Sequence, residues 1–334
     1  MTPYERVFAR LSGKPVDRIP NLNILMAFAA KYIGVSYDKY CTDYRLLVDA
    51  NIKCNEQFGI DMLSTMSDPL RETSDFGAKV IFNYDAQPRC QEDFIKEHQD
   101  VKKLKFFDPN KSKRMYDRIQ AIELYKKETG NNNCILGWVE GSFAEACDLR
   151  GINDAMVDIY EEPEFLNEIM EICCQQGIVC AKEQIKAGAD FIGIGDAAAS
   201  LISPALYKEM VLPYEIRMIE EIHKAGAKVK LHICGNISNL LDAMKDTKAD
   251  IIDVDWMVDF KTAITKLDDH CCVNGNYDPV RVMYQGTADL IESEVRRRMD
   301  IGKDSRCFIS AGCEIPRDTP VENLKLVYAI LSSK

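Results

Sequence analysis

Three side chains suited to a soft divalent cation stand near the ends of two apolar runs. His232 and Cys234 lie in Leu231-His232-Ile233-Cys234-Gly235-Asn236, and Cys313 lies in Ser310-Ala311-Gly312-Cys313-Glu314. Residues two apart in a strand point to the same side, so His232 and Cys234 present one imidazole and one thiolate to a common point. Gly235 then permits a sharp turn. If both runs are parallel strands of one barrel, Cys313 meets that pair at the barrel mouth. Two sulfurs and one nitrogen form a tripod suited to zinc, with a fourth position left for substrate. The competing reading is packing, because the chain has 13 cysteines and a buried cysteine commonly serves as a small apolar residue. Cys173-Cys174 and Cys271-Cys272 are read that way. His98, His223 and His270 have no comparable company, and His223, on a helix, and His270, in a turn, are read as solvated.

Acidic and amide groups collect where apolar runs end: Asp68, Glu140, Asp196 and Asp255, then Asn274 and Asn276. Barrel enzymes draw their catalytic groups from the C-terminal ends of strands, so this distribution marks a mouth. Asp68 and Asp196 suit helix caps equally well, whereas glutamate is a poorer cap, which favours a chemical role for Glu140. Gly193-Ile194-Gly195 lacks the third glycine of a dinucleotide fingerprint, and no P-loop or G-x-S-x-G elbow is present.

Eight short apolar runs must position these groups: residues 19–25, 60–66, 134–139, 191–194, 228–233, 251–254, 271–275 and 307–310. Each is rich in Ile, Val, Leu, Phe or Cys, as buried parallel strands are. Helical patterning separates them, most clearly over 164–187, which stops at Gly188, and over 205–224, which opens on Ser203-Pro204. Helices are also expected over 290–301 and 321–331. Eight β/α units predict a single (β/α)8 TIM barrel, one domain over 1–334, with an insertion after strand two. A doubly wound open sheet is the alternative, since strand count alone does not establish closure. The insertion, 74–128, is expected to pair 78–82 with 94–97 as a hairpin, to carry a helix over 111–127, and to cover the mouth.

Bulk composition narrows the partners. The 334 residues include 42 Lys and Arg against 53 Asp and Glu, a formal charge of −11. Nucleic acid and anionic membranes demand a basic surface, so neither is expected as the main partner. No apolar run of spanning length appears, and residues 1–10 are mixed and charged rather than signal-like. Scattered cysteines in so long a chain read as reduced thiols, and a cytoplasmic location is expected.

At its motifs the chain resembles the uroporphyrinogen decarboxylase superfamily and, within it, the zinc-containing corrinoid-dependent methyltransferases. The resemblance is carried by Arg10-Leu11-Ser12-Gly13-Lys14-Pro15-Val16-Asp17-Arg18-Ile19-Pro20, Trp138-Val139-Glu140-Gly141-Ser142-Phe143 and Gly188-Ala189-Asp190. It continues in Ser203-Pro204, the His232/Cys234 segment and Gly312-Cys313-Glu314-Ile315-Pro316. It implies zinc on His232, Cys234 and Cys313, and methyl exchange between a small molecule and the cobalt of a corrinoid. No Asp-x-His-x-x-Gly cobalamin pattern is present, so the corrinoid would belong to a separate protein docked over the mouth.

The resemblance further implies Glu140 or Asp255 as a fourth ligand and Asp196 as a group that orients His232 or assists proton transfer. Asp68 matches the acidic position that the decarboxylase uses on pyrroles. The arginines that hold propionates in that enzyme are missing from 21–32, which speaks against polycarboxylate decarboxylation. Two directions of transfer remain. A methylated donor such as a methoxylated aromatic is preferred, because strand-end carboxylates suit proton delivery to a leaving oxygen. The alternative is a thiol acceptor of the coenzyme M kind, for which Arg71, Arg150 and Arg317 are the candidate clamp. A decarboxylase with an unusual substrate and a zinc-free binding barrel are the remaining readings.

Overall fold

The computed structural model describes residues 1–333. Its strands are β1 (Met62–Ser64), β2 (Val80–Ile81), β3 (Arg89–Cys90), β4 (Cys134–Glu140), β5 (Phe191–Gly195), β6 (Lys228–His232), β7 (Ile251–Asp253), β8 (Cys272–Tyr277) and β9 (Phe308–Ala311). The order β1-β4-β5-β6-β7-β8-β9 forms one sheet, and every neighbouring pair is parallel. Helices including Pro163–Ala187, Leu212–Lys224, Phe260–Leu267 and Ala288–Ile301 return the chain between strands.

The expected first strand is the point of difference. Instead of a ladder over 19–25, Asn21 alone bridges in parallel to Ile60 on one side and Ile309 on the other, completing the ring. Pro20 has no amide to donate, and side chains take over backbone partners nearby. The Asn21 N–H donates to Asp61 Oδ2 at 2.7 Å, and the Ala311 N–H donates to Asn23 Oδ1 at 2.8 Å. Arg6 and Arg18 each hold the buried Asp61 at 2.6 Å.

Strand alternation sorts the side chains into two cores. Ile135, Val139, Ile192, Ile194, Val229, Leu231, Ile252, Val273 and Ile309 face the helices. Inside the barrel, Met62, Leu136, Trp138, Phe191, Ile251, Cys272 and Phe308 form a second apolar cluster, floored by Val7 of the helix Pro3–Leu11. Above that floor the interior turns polar. The register places Glu140, Gly195, His232, Asp253 and Asn274 in one row around the sheet.

The insertion holds the expected helix, here Arg114–Thr129, and a hairpin whose second arm is β3 rather than 94–97. The amides of Phe94 and Ile95 both donate to Leu149 O at 2.9 Å, which draws that segment onto the end of the helix Ser142–Arg150. Gln87, between the hairpin arms, donates to Glu314 Oε2 at 3.3 Å, so the hairpin lies over the mouth as expected. The stretch read as one helix over 205–224 carries a π-helical segment, Tyr207–Val211, just ahead of Pro213. No helix among the described residues is long and apolar enough to cross a membrane.

Candidate metal centre

Strand β6 delivers His232 at its last residue and Cys234 two positions beyond, while the segment after β9 delivers Cys313. The three ligand atoms lie within 4.8 Å of one another. His232 Nε2 is 3.0 Å from Cys234 Sγ and 3.9 Å from Cys313 Sγ, and the two sulfurs are 3.7 Å apart. A tetrahedral zinc with bonds of about 2.3 Å to sulfur and about 2.0–2.1 Å to nitrogen sets S···S near about 3.8 Å and N···S near about 3.6 Å. The observed triangle brackets those spacings, so the donor set fits zinc in chemistry and in size. Gly235, at φ +88°, makes the turn that brings Cys234 back over the strand end.

The surrounding electrostatics favour a cation. Burial opposes a charged imidazole, yet hydrogen bonds from Asp253 and Cys313 outweigh it and raise His232 to about 10. The hydrogen bond from Cys234 pulls Cys313 down to about 4, and the same sulfur pair pushes Cys234 up. Two soft anionic donors and an imidazole crowded together repel or share protons until a cation replaces those protons.

Asp253 is the group sequence reasoning missed. Its Oδ2 lies 2.9 Å from His232 Nδ1, which leaves Nε2 directed at the sulfurs. Lys230 pairs with the same oxygen, and Asn274 Nδ2 donates to Oδ1 at 2.8 Å. The role expected of Asp196, orienting His232, therefore falls to Asp253. Asp196 accepts the Ala144 amide at 2.8 Å and caps the helix Ser142–Arg150, and burial pushes its carboxyl up to about 7. Its only direct tie to residue 232 is the Asp196 N–H donating to His232 O at 3.0 Å.

The other expected residues gather in a second polar group. Glu140 is 8% exposed, and its Oε1 accepts from Arg71 Nη2 at 2.6 Å and from Trp138 Nε1 at 3.1 Å. Burial pushes the Glu140 carboxyl well up, with Arg71 working against it. Asp68 is fully buried and pairs with Arg114 at 2.6 Å. Its own burial is outweighed by Arg114 and Arg71, and its carboxyl sits below the usual range. Asp255 stays beside the tripod, accepting the Gly235 amide at 2.7 Å and the Trp256 amide at 2.6 Å. Neither Glu140 nor Asp255 joins the three-residue cluster as the fourth donor expected of one of them, because both are held by the partners just named.

Glycines 193 and 195 make room for this arrangement. A Cβ at 193 would sit 2.1 Å from the Trp138 ring, and one at 195 would sit 2.9 Å from Glu140 Oε2. Of the arginines considered as a clamp, Arg71 is consumed by Glu140, Arg150 pairs with Asp158 at 2.7 Å, and Arg317 pairs with Asp85 at 2.9 Å. His223, expected to be solvated, is half-buried and lies 2.8 Å from Asp250 Oδ2.

These features define a (β/α)8 barrel with a soft-donor tripod at its mouth. The family model for uroporphyrinogen decarboxylase (URO-D) matches residues 2–332, and the chain belongs to that family. It is 27% identical over 331 residues to a methylcobamide:CoM methyltransferase of Methanosarcina acetivorans, covering 97% of this chain and 96% of that one. It is 28% identical over 327 residues to a uroporphyrinogen decarboxylase of Geotalea uraniireducens, covering 93% of each. In fold it is similar to a methyltransferase from Methanosarcina mazei, with TM-score 0.90, 22% identity, and coverage of 99% of this chain and 98% of that one.

Proposed function

We propose that this chain transfers a methyl group from a small methylated molecule to the cobalt of a corrinoid carried by a separate protein. The single observation that carries the reading is the His232–Cys234–Cys313 triangle, whose spacings suit a zinc ion with one position open. Zinc held there supplies Lewis acidity, which makes a methoxy oxygen a better leaving group. Asp253 fixes the imidazole so that Nε2 faces the metal position, and Asp255 holds the Gly235 turn that places Cys234. Exposed Trp256 and Met257, close to Gly312 and Gly235 respectively, give the mouth an apolar rim on which the corrinoid carrier would seat.

Relatives of both kinds share the fold, and the charge arrangement separates them. A polycarboxylate substrate needs free cations. Near the mouth the buried arginines are already paired: Arg71 with Glu140, Arg114 with Asp68, and Arg118 with Asp117. The similarity to methylcobamide:CoM methyltransferases supports a second reading, in which a thiol receives the methyl group from methyl-cobalt.

Mixing the zinc-loaded protein with a reduced corrinoid protein and a methoxylated aromatic should produce the absorption spectrum of methyl-cobalt. Transfer only to thiols would overturn the direction. Carbon dioxide release from uroporphyrinogen would overturn methyl transfer.

A further inference from the structure

Beside the tripod, at the ends of β4 and β5, lies a cavity of about 420 Å³. Two carboxylates line it: Glu140, from the last residue of β4, and Asp148, from the helix Ser142–Arg150. Glu140 spends Oε1 on Arg71 and Trp138, and among the described residues its Oε2 accepts no hydrogen bond. Asp148 likewise has no hydrogen-bond donor on either carboxylate oxygen among the described residues; the contact at that residue is Cys90 Sγ donating to its backbone oxygen at 3.8 Å. The remaining wall is largely apolar, with Leu70, Pro88, Ala144, Ile152 and Ala198. One cation belongs to the lining, Arg89, on the exposed side of the hairpin.

This lining has a chemical signature. Carboxylate oxygens that lack donors inside an apolar cavity are costly, and a ligand that donates to them removes that cost. An anion placed in the same space would face two carboxylates. A neutral ring or chain with a hydroxyl group would satisfy the oxygens and bury its apolar body against the proline, leucine and alanine wall. Gly195 keeps the approach clear, because a side chain there would strike Glu140 Oε2.

We infer that this cavity, formed by Glu140 and Asp148 on an apolar wall, holds the body of the methyl-transfer partner, and that this partner is an uncharged hydroxyl-bearing molecule rather than an anionic thiol. The inference rests on the methyl-transfer reading for the identity of the site, but binding is measured without corrinoid and tests the cavity alone. The tripod positions the reacting end, and Asp148 sets which molecules are admitted.

Calorimetric titration of the full chain with 2-methoxyphenol, 1,2-dimethoxybenzene and 2-mercaptoethanesulfonate is the test. 2-Methoxyphenol should bind at least ten-fold more tightly than 1,2-dimethoxybenzene, which lacks the hydroxyl donor. Asp148→Ala should reduce that preference to less than two-fold, while the unfolding midpoint confirms that the variant is folded. The anion should not displace 2-methoxyphenol. Absent binding of 2-methoxyphenol, equal binding of the two ethers, an undiminished preference in Asp148→Ala, or displacement by the sulfonate (which would make Arg89 an anion clamp) would each overturn the proposal. Tight binding of 2-methoxyphenol without methyl-cobalt formation would instead count against the donor reaction and leave the cavity assignment standing.

Discussion

His232 Nδ1 and Asp253 Oδ2 face one another at 2.9 Å across adjacent strands, and Asp253 is shared with the buried Lys230. One carboxylate thus orients a candidate metal ligand and neutralises a cation in the barrel interior. Asp253→Asn should weaken zinc about 10- to 100-fold, as loss of a ligand's orienting partner does. It should also cost about 3–5 kcal/mol of stability, because Lys230 is left buried and unpaired. The double variant Lys230→Met/Asp253→Asn should recover much of the stability and none of the metal affinity. Chelator competition and urea unfolding measure the two effects separately, and joint recovery would show that the pair acts on stability alone.

Gly193 tests how tightly the floor of the site is packed. Its absent side chain is replaced by the Trp138 ring, 2.1 Å from where a Cβ would stand. Gly193→Ala should destabilise the fold by about 1–3 kcal/mol, the usual range for overpacking a core. Thermal unfolding reads this directly, and an unchanged midpoint would mean that the indole moves aside freely.

Asp148 gives the protein a pH signature. Burial pushes its carboxyl up to about 7 from an ordinary 3.8, with Arg71 opposing the rise and Glu72 and Asp68 adding to it. A folded value above the unfolded one means that the associated stability is full below pH 3.8 and is lost as pH climbs through about 7. Wild-type protein should therefore lose stability relative to Asp148→Asn between pH 4 and pH 7, as denaturant melts at intervals across that range would show. Parallel curves would place Asp148 in ordinary solvent.

Much of this architecture is legible in the residue pattern, and the exceptions have physical causes. The apolar runs that became β4 to β9 are continuous because both faces are buried, one by helices and one by the barrel interior. The 19–25 run failed as a strand because Pro20 lacks an amide and Asp61 and Asn23 substitute for ladder partners. The tripod was readable because His232-x-Cys234 obeys strand alternation. The same alternation also marks Lys230-x-His232, Trp138-x-Glu140 and Asp253-x-Asp255 as inward series, and it was the available signal for Asp253. Asp255 drew attention instead, since it stands at the strand end where barrel chemistry is sought. Asp196 shows the opposite error: a strand-end carboxylate whose oxygen caps a neighbouring helix. Asp148 carried no signal at all, because its importance arises only when the hairpin residues Pro88 to Cys90 enclose the space in front of it.

The most direct measurement is the metal content and X-ray absorption spectrum of the purified chain. About one zinc per chain should be found, with a ligand shell of two sulfurs at about 2.3 Å and nitrogen or oxygen at about 2.0–2.1 Å. Cys234→Ala and Cys313→Ala should each lose the metal while keeping the far-UV circular dichroism of the barrel. Full zinc content in both folded variants, or a shell without sulfur, would contradict the account.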